Sequence, residues 1–266
     1  MIETKIEFVK PIALFLFAHQ DDECGALQII ENEIKKGSEV YCLYFTSGTS
    51  NGLSAFRRDK ESLNILQKLG VTKSNVEFIG SLKKIPDCRL IDNLDCASTE
   101  LINWIQKHTG DLKIYLPAWE GGHPDHDALH FLGVVLAYNL DGINIYQFPL
   151  YNSYKIKYPL FRTLFPLLKN GEVFQHKISW FNRLRYLSYC LRYPSQWKSW
   201  IGLFPPFLFH YLFKGTQNWQ KVSIGRIHEA PHDGYLYYEH RKFCNQKHFF
   251  KKINEFLCAD NPMLSL

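Results

Sequence analysis

Seven consecutive residues without a polar side chain, Ile12-Ala-Leu-Phe-Leu-Phe-Ala18, run directly into His19-Gln-Asp-Asp-Glu23. An unbroken apolar run of that length is the pattern of a strand buried on both faces, and such strands belong to sheets covered by helices on both sides. The first 150 residues repeat the theme. Between residues 22 and 36, Ala26, Leu27, Ile29, Ile30 and Ile34 recur at helical spacing, and Gly37 stops the helix. Residues 40–45 read as a strand and 56–69 as an amphipathic helix closed by Gly70. Residues 76–79 follow as a short strand. Ser98 is the expected N-cap of a helix ending at Gln106. A strand at 114–116, a helix at 127–138 and a strand at 143–148 complete the series. This alternation predicts an α/β, Rossmann-like fold with a mostly parallel sheet flanked by helices. In such sheets ligands bind beyond the carboxyl ends of the strands.

Two polar strings sit at those ends. The first is His19-Gln-Asp-Asp-Glu23; the second, His123-Pro-Asp-His126, follows the strand at 114–116. His19 and Asp22 are three residues apart where a strand turns into a helix, so both can converge on one point, and His126 arrives from another strand end. Two imidazoles and one carboxylate form a common catalytic zinc set with positions left open for water. Asp21 can serve as general base beside such a metal, and His123 can stabilise an oxyanion or protonate a leaving group. Asp125 can orient an imidazole, most simply that of His123. Taken singly the strings are weaker. Asp21, Asp22 and Glu23 also suit a helix start, where the dipole favours acids, and many loops carry a His-x-x-His pair.

After Leu150 the composition shifts towards Tyr, Phe, Trp, Lys and Arg with few acids. The division expected is 1–150 as a Rossmann-like metal-hydrolase core and 151–266 as an aromatic-rich C-terminal part that completes the fold and shapes the pocket. Residues 200–213 are the most apolar piece, and Pro205-Pro206 interrupt it, so a simple transmembrane helix is excluded. Burial in a subdomain is the expectation; peripheral contact with a membrane through 200–213 is the alternative.

The formal charge of +5 is spread along the chain, and no basic stripe or RNA-binding signature appears, so nucleic acid is not an expected partner. Seven cysteines without a Cys-x-x-Cys read as reduced thiols of a cytosolic protein. The mixed-charge start and the short apolar run at 12–18 do not make a signal peptide. The expected location is the cytoplasm, or the inner face of the membrane if 200–213 docks there.

The pairing of Ala18-His-Gln-Asp-Asp-Glu23 with His123-Pro-Asp-His126 a hundred residues later resembles the PIG-L/LmbE-like family of metal-dependent de-N-acetylases. Arg58-Asp-Lys-Glu61 followed by Leu69-Gly-Val71, and Pro117-Ala-Trp-Glu-Gly-Gly-His123, resemble family segments too. So do Tyr193-Pro-Ser-Gln196 and Gly234-Tyr-Leu-Tyr-Tyr-Glu239. The resemblance implies that His19, Asp22 and His126 hold the metal, usually Zn2+, with Fe2+ or Mn2+ as other divalent choices. It implies Asp21 as general base, His123 at the oxyanion or as acid, and Asp125 as its support. Arg58 resembles a substrate-contacting arginine, or pairs with Glu61 as a helix salt bridge. The family usually has Pro where Gln20 stands, which predicts a less rigid turn. The loop Thr46-Ser-Gly-Thr-Ser-Asn-Gly52 lacks an acid often found there.

The activity implied is hydrolysis of the N-acetyl amide of an N-acetylated sugar conjugate, with release of acetate. A catalytically silent glycan-binding relative is the alternative, although no ligand or base has been lost. A dinucleotide-binding oxidoreductase is disfavoured because the first strand is not followed by Gly-x-Gly-x-x-Gly. The sequence names neither the acceptor nor an oligomeric state.

Overall fold

In the computed structural model, successive residues of the first strand point into two different apolar layers. The structure describes residues 10–49, 55–108, 110–140 and 143–259. The charged N-terminal start and residues 50–52 of the Thr46–Gly52 loop lie outside them. On β1 (Ile12–Phe17), Ile12, Leu14 and Leu16 join one buried cluster, while Ala13, Phe15 and Phe17 join the other. A side chain burying that much apolar surface contributes roughly 1.5–3 kcal/mol. An all-apolar strand therefore stabilises the fold only when both faces are covered.

The elements follow in order: α1 (Leu27–Lys35), β2 (Glu39–Tyr44), α2 (Ala55–Leu69), β3 (Val76–Glu77), α3 (Ile79–Lys83) and α4 (Leu94–Gln106). Then come β4 (Leu112–Pro117), α5 (Pro124–Asn139), β5 (Asn144–Phe148), β6 (Tyr151–Asn152) and β7 (Arg162–Thr163). Last are β8 (Val173–Lys177), α6 (Trp180–Cys190), α7 (Trp197–Phe209), β9 (Thr216–Lys221), α8 (Tyr237–His240) and α9 (Gln246–Cys258). The main sheet has the order β3-β2-β1-β4-β5-β9-β8. Its first five strands are parallel, and β9 and β8 add an antiparallel edge from the C-terminal part. Helices α4, α5 and α9 cover one face; α1, α2, α6 and α7 cover the other. The α/β, mostly parallel, helix-flanked fold is as expected.

Local boundaries differ in instructive places. Helix α4 starts at Leu94, so Ser98 is not its cap; Ser98 is buried inside the helix and donates to Asp95 O at 2.9 Å. Burial of Leu94 and Ala97 extends the helix past the capping residue. Only Val76 and Glu77 pair with β2, and Ile79 already begins α3. Helix α5 starts at Pro124, before the expected 127, with proline at its first position.

Residues 200–213 correct the expectations of an interrupted and a buried segment. Pro205 and Pro206 do not interrupt the segment: α7 runs through them and continues as a π-turn, His210–Lys214. The carbonyls that lose their donors belong to Ile201 and Gly202, both exposed to water, while Trp200 and Phe207 anchor the helix from inside. The segment is thus neither wholly buried nor wholly exposed. No helix among the described residues is long and apolar enough to cross a membrane.

Candidate metal centre

Strands β1 and β4 are neighbours, and the strand order reverses between them, so the crevice of this sheet opens at their carboxyl ends. The turn after β1 carries His19 to Glu23. Asp21 adopts a left-handed backbone, φ 113°, unusual for a residue with a side chain. Its N–H donates to Glu23 Oε2 at 3.0 Å, and Tyr193 Oη donates to Glu23 Oε1 at 2.8 Å, so a buried carboxylate locks the turn from below. After β4, a Cβ on Gly122 would lie 2.0 Å from Tyr151 O, so only glycine admits this approach to His123. His123 then caps α5: its Nδ1 accepts from Asp125 N at 3.2 Å.

His19, Asp22 and His126, all buried, meet at this point. His19 Nδ1 is 3.2 Å from His126 Nε2 and 3.6 Å from Asp22 Oδ2. His126 Nε2 is 3.0 Å from Asp22 Oδ1. A tetrahedral ion with bonds of about 2.0–2.1 Å needs donors roughly 3.3 Å apart, so the triangle fits a divalent metal of zinc's size. Asp22 is held by two backbone donors, Ala18 N and His19 N, at 3.0 and 2.8 Å.

Protonation follows the same geometry. Burial pushes His19 down, but hydrogen bonds to Asp125 and Asp22 outweigh it and leave its pKa well above the ordinary value. Burial raises Asp22, yet His126 and His19 hold it well below the usual carboxylate range. The site therefore favours positive charge at its centre, the electrostatic condition for a cation. Burial lifts Asp21 to about 7, with Arg58 pulling the other way. Burial, reinforced by the neighbouring His19, lowers His123 to about 3.

Asp125 sits differently from the sequence reading. Its Oδ2 is 3.0 Å from His19 Nε2 and 3.9 Å from His123 Nδ1, so its carboxylate supports His19 and only its backbone N–H engages His123. It also accepts from Cys88 N and Leu90 N, tying down the loop before α4. Arg58 does not pair with Glu61. It donates to Gln20 O at 2.8 Å and to Gly48 O, and lies 3.5 Å from Asp21 Oδ1. Glu61 instead binds Arg57 and the backbone and hydroxyl of Ser195. With the Gln196 amide turned as its surroundings dictate, its oxygen accepts from Arg58 Nε at 3.0 Å. Gln20 is buried, and its amide donates to Asp59 at 2.6 Å and to Thr46 O at 3.3 Å, so side-chain bonds replace the rigidity a proline would give.

Asp87 was missed. Its Oδ1 is 3.2 Å from His19 Nε2 and 3.6 Å from His123 Nε2, and His19 outweighs burial to hold its pKa far below normal. It lies in a loop without periodicity, between Pro86 and Cys88, and nothing in the local sequence marks it. The donors floor a cavity of about 320 Å³ whose walls include Arg58, Tyr151, Phe161, Trp200 and Tyr237. The sequence marks the segments of Trp200 and Tyr237 but gives neither residue a place at the site.

Residues 14–137 match the family model described as "PIG-L: GlcNAc-PI de-N-acetylase", a stretch from within β1 to within α5 that includes His19–Glu23 and His123–His126. A probable N-acetylglucosaminyl-phosphatidylinositol de-N-acetylase of Dictyostelium discoideum is 25% identical to the chain over 126 residues. That alignment takes in 47% of this chain and 48% of the relative, so the chain matches about half the relative's length. The fold around the matched residues is shared with solved deacetylases. N,N'-diacetylchitobiose deacetylase from Pyrococcus horikoshii superimposes with a TM-score of 0.58 at 18% identity, covering 83% of this chain and 87% of that one. The zinc-inhibited form of teicoplanin deacetylase gives 0.55 at 14% identity, covering 79% and 98%.

Proposed function

We propose that this protein removes the acetyl group from an N-acetylated amino-sugar conjugate, with a divalent ion, zinc foremost, held by His19, Asp22 and His126. The observation that carries this reading is the convergence of those three donors within 3.0–3.6 Å at the floor of a cavity, inside a PIG-L domain. The ion would supply Lewis-acid polarisation of the amide carbonyl and acidify water.

The chain's own groups supply the rest. Asp21 takes the proton of the attacking water; a carboxylate raised to about 7 is matched to proton transfer near neutral pH. It then returns that proton to the departing nitrogen, which leaves as the amine with release of acetate. His123 is neutral in this range, and because its Nδ1 accepts from Asp125 N, its proton sits on Nε2. A neutral N–H donor facing the cavity stabilises the developing oxyanion; as a general acid the ring would have to be charged. Asp125 accepts from His19 Nε2 and so fixes the ring orientation that turns Nδ1 to the ion. Arg58 steadies the Asp21 turn through Gln20 O and lines the cavity, where its positive charge would meet a sugar hydroxyl or phosphate. Tyr151, Phe161 and Tyr237 offer aromatic faces for a sugar ring.

Acetate release from a panel of N-acetylglucosamine conjugates, with and without added zinc, tests the proposal. Release from at least one conjugate, absent in His19→Ala, is expected. A metal-loaded, folded protein that releases none from any conjugate would remove it.

A further inference from the structure

Helix α7 has two faces of opposite character. Trp200, Leu203 and Phe207 turn inward to the cavity and core. Trp197, Ile201 and Phe209, spaced four and then eight residues along the helix, are 58%, 65% and 58% exposed, and Phe213 prolongs the stripe on the π-turn. Packed beside it, α6 repeats the arrangement. Tyr186, Leu187 and Cys190 are buried in the same apolar cluster, while Trp180, Phe181 and Leu184 are exposed. Soluble surfaces carry single apolar side chains without consequence, but a contiguous patch on two adjacent helices marks an interaction site.

Charge identifies the occupant. From 173 to 228 the chain holds no Asp or Glu, against eight basic residues: Lys177, Arg183, Arg185, Arg192, Lys198, Lys214, Lys221 and Arg226. Arg183 lies over the Trp180 ring at 4.3 Å, and Lys198 approaches the Trp197 ring. Arg192, Lys198 and Lys214 are exposed and have no acidic partner among the described residues. Aromatic and aliphatic side chains ringed by uncompensated cations suit an interface whose interior is apolar and whose rim is anionic. We infer that the exposed faces of α6 and α7 form a docking surface for a lipid bilayer carrying anionic headgroups. Because the opposite face of α7 walls the cavity, docking places the cavity about one helix diameter, roughly 10 Å, from the lipid. This inference does not depend on the chemistry proposed above.

Flotation of the full-length protein with phosphatidylcholine vesicles, with and without phosphatidylglycerol, decides it. Binding to the phosphatidylglycerol vesicles that weakens with salt is expected. A Phe181→Ser, Trp197→Ser, Ile201→Ser variant should keep the wild-type melting temperature, since all three side chains are exposed, and lose at least roughly tenfold in binding. Arg192→Glu with Lys214→Glu should lose comparably while leaving the apolar stripe intact. Failure to bind either vesicle overturns the inference. So does sedimentation showing that wild type self-associates through this face while ignoring vesicles, which would make a second copy the occupant.

Discussion

His19 Nδ1 lies 3.2 Å from His126 Nε2, although the two residues are 107 positions apart. Two imidazole nitrogens brought lone pair to lone pair gain nothing from each other unless a proton or a metal ion lies between. Neighbouring strands β1 and β4 enforce the approach, so the protein's own scaffold holds the pair at the spacing of metal ligands.

Purified protein should carry about one divalent ion per chain, with zinc expected from the donor set. Elemental analysis of His19→Ala and His126→Ala should show strong depletion. Full occupancy in both would move the site elsewhere.

Asp21→Asn keeps shape and removes the proton acceptor. Metal content should be unchanged while deacetylation falls by roughly a hundredfold or more. Activity within a few-fold of wild type would transfer the role. Glu23 is the next carboxylate on the turn, but both its oxygens are already engaged with Tyr193 and Asp21 N.

His123→Ala and Asp125→Ala should separate. His123→Ala is expected to retain metal and lose turnover, as its Nε2 faces the cavity outside the ligand triangle. Asp125→Ala removes the acceptor behind His19 and should weaken metal affinity about 10–100-fold. Metal titration paired with turnover reads both; metal loss in His123→Ala would make that residue a ligand.

Glu120 predicts a pH dependence of stability. Burial lifts it from 4.5 to about 7, and its oxygens accept from Leu150 N, Tyr151 N and Asn152 Nδ2. A folded pKa above the unfolded one means the native state binds the extra proton. Its charge therefore costs nothing below about pH 4.5 and costs progressively more as pH rises through 7. Glu120→Gln keeps an acceptor for the two backbone donors, so between about pH 5 and pH 8 urea unfolding should shift in the variant's favour by up to about 3 kcal/mol. Parallel curves for the two proteins would mean Glu120 stays ionised throughout.

The sequence by itself determined the chemical identity of the donors and their place at strand ends. An all-apolar strand followed by His19 and Asp22, and a second strand followed by His123 and His126, can belong only to a sheet covered on both faces, and such sheets gather their carboxyl ends on one edge. Periodicity carries that much because it reports which face of an element is buried. Tertiary structure alone decided which imidazole Asp125 supports, that Arg58 grips Gln20 and Gly48 instead of Glu61, and that Asp87 joins the site. Those are single contacts, to side chains or backbone carbonyls, between residues ten to about a hundred positions apart, and such contacts leave no period in the chain. The same holds for α7: Pro205 and Pro206 read locally as a break, but Trp200 and Phe207 bury on one side and water serves the freed carbonyls on the other, so the helix persists.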